Sequence, residues 1–158
     1  MNTVQIIAFT HRQFNFDEIG LFHLDDKQRI DILTNLKTNL DIDELMYLST
    51  CNRVEFIVSH EKKITKTFVE KLIKQLLADQ LPANLKDIVD RAEIINSKAA
   101  VHHIFSVASS IDSLVVGERE IITQVRKAFE ECKENNLCGD VIRVLVQSTI
   151  STAKKVYT

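Results

Sequence analysis

Cys51, Asn52 and Arg53 stand in a row and offer the most reactive chemistry in this 158-residue chain. A thiol attacks as its thiolate, and a guanidinium two positions away favours that form over the thiol, whose unperturbed pKa is about 8.5. Most lone cysteines are nonetheless inert packing, so the surroundings have to decide between nucleophile and core filler. His103 is a second candidate, as a proton donor or acceptor. His11 reads as a solvated loop residue. Cys132 and Cys138 read as packing and turn residues, because two cysteines without matching histidines make a poor zinc site.

The elements around Cys51 are legible from periodicity. Leu45 and Tyr47 alternate with Glu44 and Met46 before it; Val54, Phe56 and Val58 alternate with Arg53, Glu55 and Ile57 after it. Period-2 alternation on both sides of a short polar break predicts a β-hairpin with Cys51 at its tip, and Asn52 tolerates the left-handed backbone that a tight reversal can need. Val4 to Phe9 predicts a first strand. Ile30, Leu33, Leu36 and Leu40, preceded by Asp25 and Asp26, predict a helix. A more amphipathic helix follows over Phe68 to Leu76, ending before Pro82, and Ile88 to Ile95 is expected to supply a fourth strand. This β-α-β-β-α-β order predicts an α+β fold, a ferredoxin-like antiparallel sheet with both helices on one face, over residues 1–96.

From 97 to 158 the pattern is helical. Val101, Ile104, Phe105 and Ala108 form one stripe, and at 100° per residue His103 lies roughly 150° from its centre, which predicts a solvent-facing side chain. Gly117 opens a long helix carrying Ile121, Ile122, Val125, Ala128, Phe129 and Cys132 on one face. Glu118 falls near the middle of that face, where an unpaired charge is costly, so it either caps the helix or points into a polar site. Gln124 lies on the flank. Asn136 and Gly139 end this helix, and Ile142, Leu145, Val146, Thr149, Ala153 and Val156 line another.

Two of these segments carry a family likeness. Ser49-Thr50-Cys51-Asn52-Arg53 resembles the signature of glutamyl-tRNA reductases, which begin the five-carbon route to 5-aminolevulinate and hence to tetrapyrroles such as heme. Ser113 to Phe129 is similar to that family's other hallmark block, and Val101 to Ser110 leads into it in register. The resemblance implies that Cys51 attacks the ester joining glutamate to its tRNA, giving a thioester that NADPH reduces to glutamate 1-semialdehyde. It makes His103 the activity-determining histidine and assigns glutamate recognition to Thr50, Asn52, Arg53, Ser113, Glu118, Arg119, Glu120 and Gln124. A histidine also stands at the place of His11 in that family. The chain departs from the pattern at 117 to 120, where Gly-Glu-Arg-Glu replaces Gly-Glu-Pro-Gln, and at Ser110, where glycine is common.

The same resemblance makes residues 1–158 a single catalytic domain ending at the start of a spinal helix, with the NADPH and dimerisation domains outside the chain. Glutamyl-tRNA, a second subunit and the aminomutase that takes the aldehyde next are the partners it implies; no metal is expected. Gly20, Gly117 and Gly139 are isolated, so no Gly-x-Gly-x-x-Gly fingerprint for a dinucleotide is present. The composition, 45% hydrophobic and 27% charged with a net charge of −2, is that of a globular domain without general attraction to nucleic acid. An odd cysteine count and the short N-terminal apolar run point to the reducing cytoplasm, with no disulfide framework, leader or membrane span. Two other readings compete: a non-catalytic RNA-binding module, which wants exposed aromatics where only Tyr47 and Phe56 are available, and a thiol hydrolase or redox protein using Cys51 with His103.

Overall fold

A computed structural model describes residues 3–109 and 120–157 of the chain. Four strands, β1 (Thr3–Thr10), β2 (Glu44–Thr50), β3 (Arg53–His60) and β4 (Glu93–Asn96), form one antiparallel sheet in the order β2-β3-β1-β4. Seven helices are described: α1 (Phe16–Gly20), α2 (Arg29–Asn39), α3 (Lys66–Leu76), α4 (Leu85–Arg91), α5 (Ser97–Ala108), α6 (Glu120–Glu134) and α7 (Asp140–Tyr157). Thr50 pairs with Arg53 across the hairpin, and Thr10 pairs with Arg53 from the other side. The ends of three strand segments therefore meet beside Cys51.

All eight residues of the central strand β3 are buried, charged ones included. Both faces of the sheet are therefore covered along this strand. Ring contact of His60 with Phe68 puts α3 on one face, whereas Glu55 meets His103 of α5 on the other. On the α3 face the core is aromatic: Phe9 stacks on Phe22 at 4.0 Å and meets Phe56 edge-on, and Tyr47 tilts against Phe56. Burying each such ring is worth about 1.5–3 kcal/mol. The apolar stripe of α3 supplies Val69, Leu72 and Ile73, with the Thr65 hydroxyl accepting from the Phe68 amide at its start.

The expected fourth strand is shorter than predicted. Ile88 and Val89 lie in α4, where they are buried as helical neighbours, and only Glu93–Asn96 pairs with β1. The hairpin reverses as tightly as expected but without left-handed backbone at Asn52. Among the described residues other than glycine, positive φ occurs at Asp41, Ser97 and Asn136. Asn136 does turn the chain between α6 and α7.

Cys132 and Cys138, expected as separate packing and turn residues, are paired in a disulfide across this turn, their Cα atoms 5.6 Å apart. Helix geometry explains why the spacing permits it: Asn136 folds the chain back so that Leu137 N–H donates to the Cys132 carbonyl at 2.8 Å. The turn is fastened to the sheet edge, where Leu45 N–H donates to the Leu137 carbonyl at 2.8 Å. Glu44 then accepts from the backbone N–H groups of Gly139, Val141 and Ile142, capping α7 from a different element.

Candidate active site

The two-residue turn leaves Cys51 a free, exposed thiol. Its neighbours do the opposite. Thr50, Asn52 and Arg53 are buried, with Thr50 Oγ1 accepting from the Asn52 N–H at 3.2 Å. The Asn52 carbonyl accepts from the His11 N–H at 3.1 Å, which ties the segment after β1 to the turn. The thiol thus stands on a rigid, hydrogen-bonded support.

Behind it lies a buried charged row. The Arg53 side chain is 3% exposed and its Nη1 donates to Glu55 Oε2 at 2.7 Å. Residues 53 and 55 share one face of β3, so the contact follows from strand geometry. Glu55 has no exposed surface, and its Oε1 lies 2.7 Å from His103 Nε2. His103 corrects the sequence expectation: it is 11% exposed and faces the sheet, not solvent. The stripe calculation located the apolar face of α5, where Ala100, Ile104, Val107 and Ala108 are buried. It could not register that the flank meets a carboxylate. Burial pushes the Glu55 carboxyl upward, but the His103 hydrogen bond and the charges of His103 and Arg53 outweigh it and hold the group below the usual carboxylate range.

His11 is half-buried instead of solvated, and its Nδ1 is enclosed with no hydrogen-bond partner among the described residues. Desolvation and the nearby Arg53 charge hold its imidazole below the ordinary value, against the hydrogen bond to Asn52. Gln124 lines a cavity of about 180 Å³ with Tyr47, Ser49, Arg29, Lys127 and Glu131, and its Oε1 is buried with no hydrogen-bond partner among the described residues. One wall is an ion pair, Arg29 Nε to Glu131 Oε1 at 2.8 Å. Ser113, Glu118 and Arg119 lie outside the described residues, as does the side chain of Glu120 at the start of α6. Among the described residues no cluster of three or more His, Cys, Asp or Glu could hold a metal ion.

The aromatic surface that an RNA-binding module would need is missing from these strands. Phe56 is fully buried, and Tyr47 is 7% exposed with its hydroxyl donating to the Phe22 carbonyl at 2.7 Å.

The family model described as glutamyl-tRNAGlu reductase, N-terminal domain, matches residues 7–158. The chain belongs to this family. Glutamyl-tRNA reductases of Nitratiruptor and Campylobacter concisus are 34% and 36% identical over 96% and 95% of the chain. The chain spans about a third of the length of these relatives, 34% and 35%. The fold is shared with a glutamyl-tRNA reductase structure from Methanopyrus kandleri, at a TM-score of 0.74 and 22% identity, covering 99% of this chain and 35% of that one.

Sequence reasoning passed over Glu55, the residue that joins the Cys51 hairpin to His103 of α5. A usable signal was present: Arg53, Glu55 and Ile57 share one strand face, and an isoleucine beyond two opposite charges suggests a covered face on which the charges pair.

Proposed function

We propose that this chain is the acyl-accepting catalytic domain of an NADPH-dependent glutamyl-tRNA reductase, and that Cys51 takes the glutamyl group from glutamyl-tRNA as a thioester. The observation that carries the reading is an exposed free thiol on a fixed two-residue turn, backed by the buried Arg53–Glu55–His103 row. A thiolate is a good nucleophile at neutral pH and a fair leaving group, so one hard acyl transfer becomes two easier ones. His103 exchanges the proton that the departing ribose oxygen needs. Thr50, Asn52, Arg53 and Gln124 recognise the glutamyl group together with Ser113, Glu118, Arg119 and Glu120. The Oε1 of Gln124, without a hydrogen-bond partner among the described residues, suits an acceptor for its ammonium.

We read the sheet as ferredoxin-like, on its strand order and all-antiparallel pairing. The residues present do not fit NADPH. Gly20 closes the short α1, Gly139 precedes α7, and no parallel strand–helix–strand unit is described. Reduction to glutamate 1-semialdehyde, the opening step of tetrapyrrole synthesis, is accordingly assigned to the longer protein with a separate NADPH domain. So are a homodimer contact and transfer of the aldehyde to an aminomutase, in the cytoplasm.

The test is thioester trapping with glutamyl-tRNA labelled in the amino acid. Label is expected on the wild-type chain and none on Cys51→Ser, with RNA affinity nearly unchanged. Equal labelling of both proteins would sink the assignment.

A further inference from the structure

Glu55 touches two residues of the proposed machinery at once, and nothing in the family likeness gives it a role. An ionised carboxylate only accepts hydrogen bonds, and a guanidinium only donates them. Oε2 receives Arg53 Nη1 and Oε1 faces His103 Nε2, both at 2.7 Å, on a side chain with no exposed surface. The hydrogen bond from His103 and the charge and hydrogen bond of Arg53 hold the carboxyl below its ordinary range despite that burial. The imidazole nitrogen in front of Oε1 must therefore carry a proton.

We propose that Glu55 is the positioning residue of this site: it locks the neutral His103 ring in the form protonated at Nε2, leaving Nδ1 as the atom that takes and returns the proton of acyl transfer. The inference rests on the acyl-transfer reading above and adds the atom at which the proton moves. The step balances without a redox partner. The Cys51 thiol gives its proton to Nδ1 as the Sγ–C bond forms; the C–O bond to the ribose breaks, and that proton leaves on the ribose oxygen. A third group that orients the base is the general logic of nucleophile–base pairs.

Glu55→Gln separates this from a merely structural carboxylate. Arg53 can only donate, so it claims the amide oxygen and turns the amide NH2 toward His103. The ring then has to present a bare Nε2, and its proton moves to Nδ1. The measurement is nitrogen NMR of the whole chain carrying 15N-histidine, at alkaline pH where imidazoles are neutral. Wild type and Glu55→Asp, which keeps the charge, are expected to show a protonated Nε2 and a bare Nδ1. Glu55→Gln is expected to show the inverse and to lose about 10²-fold in the rate of thioester formation from glutamyl-tRNA.

A wild-type ring protonated at Nδ1 overturns the proposal with no variant needed, which covers a Glu55→Gln chain that fails to fold. An unchanged tautomer in folded Glu55→Gln, or an inverted one that forms thioester at the wild-type rate, overturns it too. A wild-type chain with the expected tautomer but no thioester would defeat the acyl-transfer reading and leave the hold of Glu55 on the ring intact.

Discussion

Cys51 and Glu55 are near neighbours in sequence, yet one is open to solvent and the other fully enclosed. The enclosure makes Glu55 a residue whose loss is felt twice. Glu55→Ala removes one partner of Arg53, a guanidinium only 3% exposed, and breaking one side of a buried pair costs up to about 3–5 kcal/mol. Urea titration of Glu55→Ala should show a midpoint shift of that size, whereas Glu55→Gln, which still offers Arg53 an oxygen, should lose less. A more exposed carboxylate gives a second handle. Glu18 serves as N3 of the capping box of α1 and also receives Arg91, whose bond to it, followed by the Asn15 backbone bond, holds the Glu18 carboxyl down from 4.5 to about 2. A carboxyl lowered by folding adds stability above its unfolded value and loses it as pH falls through the folded one. The wild-type urea midpoint should therefore drop between about pH 4.5 and about pH 2. Glu18→Gln should be less stable at neutral pH and should flatten this part of the profile; a profile unchanged in slope would dismiss the pair as a contributor.

At the scale of elements, the arrangement that matters most is the junction of α6, the disulfide-closed turn and α7. Glu44, on an edge strand, takes the place of a local cap and fixes where α7 begins. Gly139 makes the approach possible, because a Cβ there would stand 3.3 Å from Glu44 Cδ and 3.5 Å from both carboxylate oxygens. Glu44→Ala should cost about 1–2 kcal/mol, the usual worth of a charged cap at a helix start. Gly139→Ala should destabilise in the same direction by pushing the carboxylate off the amides. The double variant should lose less than the sum of the two, since both act on one contact. Additive losses in urea titrations would show that Gly139 acts through something other than Glu44. The same arrangement holds α6, and with it Gln124, against β2, so slackening at the turn is expected to reach the proposed glutamyl pocket.

Across the whole molecule, legibility followed the physics of each signal. Strands β1 to β3 and helices α2 and α3 were readable because apolar residues there recur at the period of a single element. The hairpin tip was readable for the same reason. The short β4 was misjudged because Ile88 and Val89 are apolar in either structure, and a four-residue strand sets no period. His103 was out of reach for another reason: its burial is decided by α5 crossing the sheet, a contact between segments far apart in the chain. The disulfide likewise depends on the reversal at Asn136. The proposed chemistry divides along the same line between local and distant. The proposed acyl acceptor Cys51 and the Arg53–Glu55–His103 row come from one hairpin and the helix that crosses it, while a dinucleotide site requires a glycine-rich strand–helix turn, and the sequence carries no such fingerprint. Incubated with glutamyl-tRNA and NADPH, the 158-residue chain should accumulate protein-bound glutamate, or release it by hydrolysis, without oxidising NADPH. Absorbance of the nicotinamide and trapping of the aldehyde with an amine reagent would follow the two outcomes. Sustained aldehyde formation by this chain alone would mean that hydride can be delivered to Cys51 without the domain in which the longer relatives are proposed to hold it.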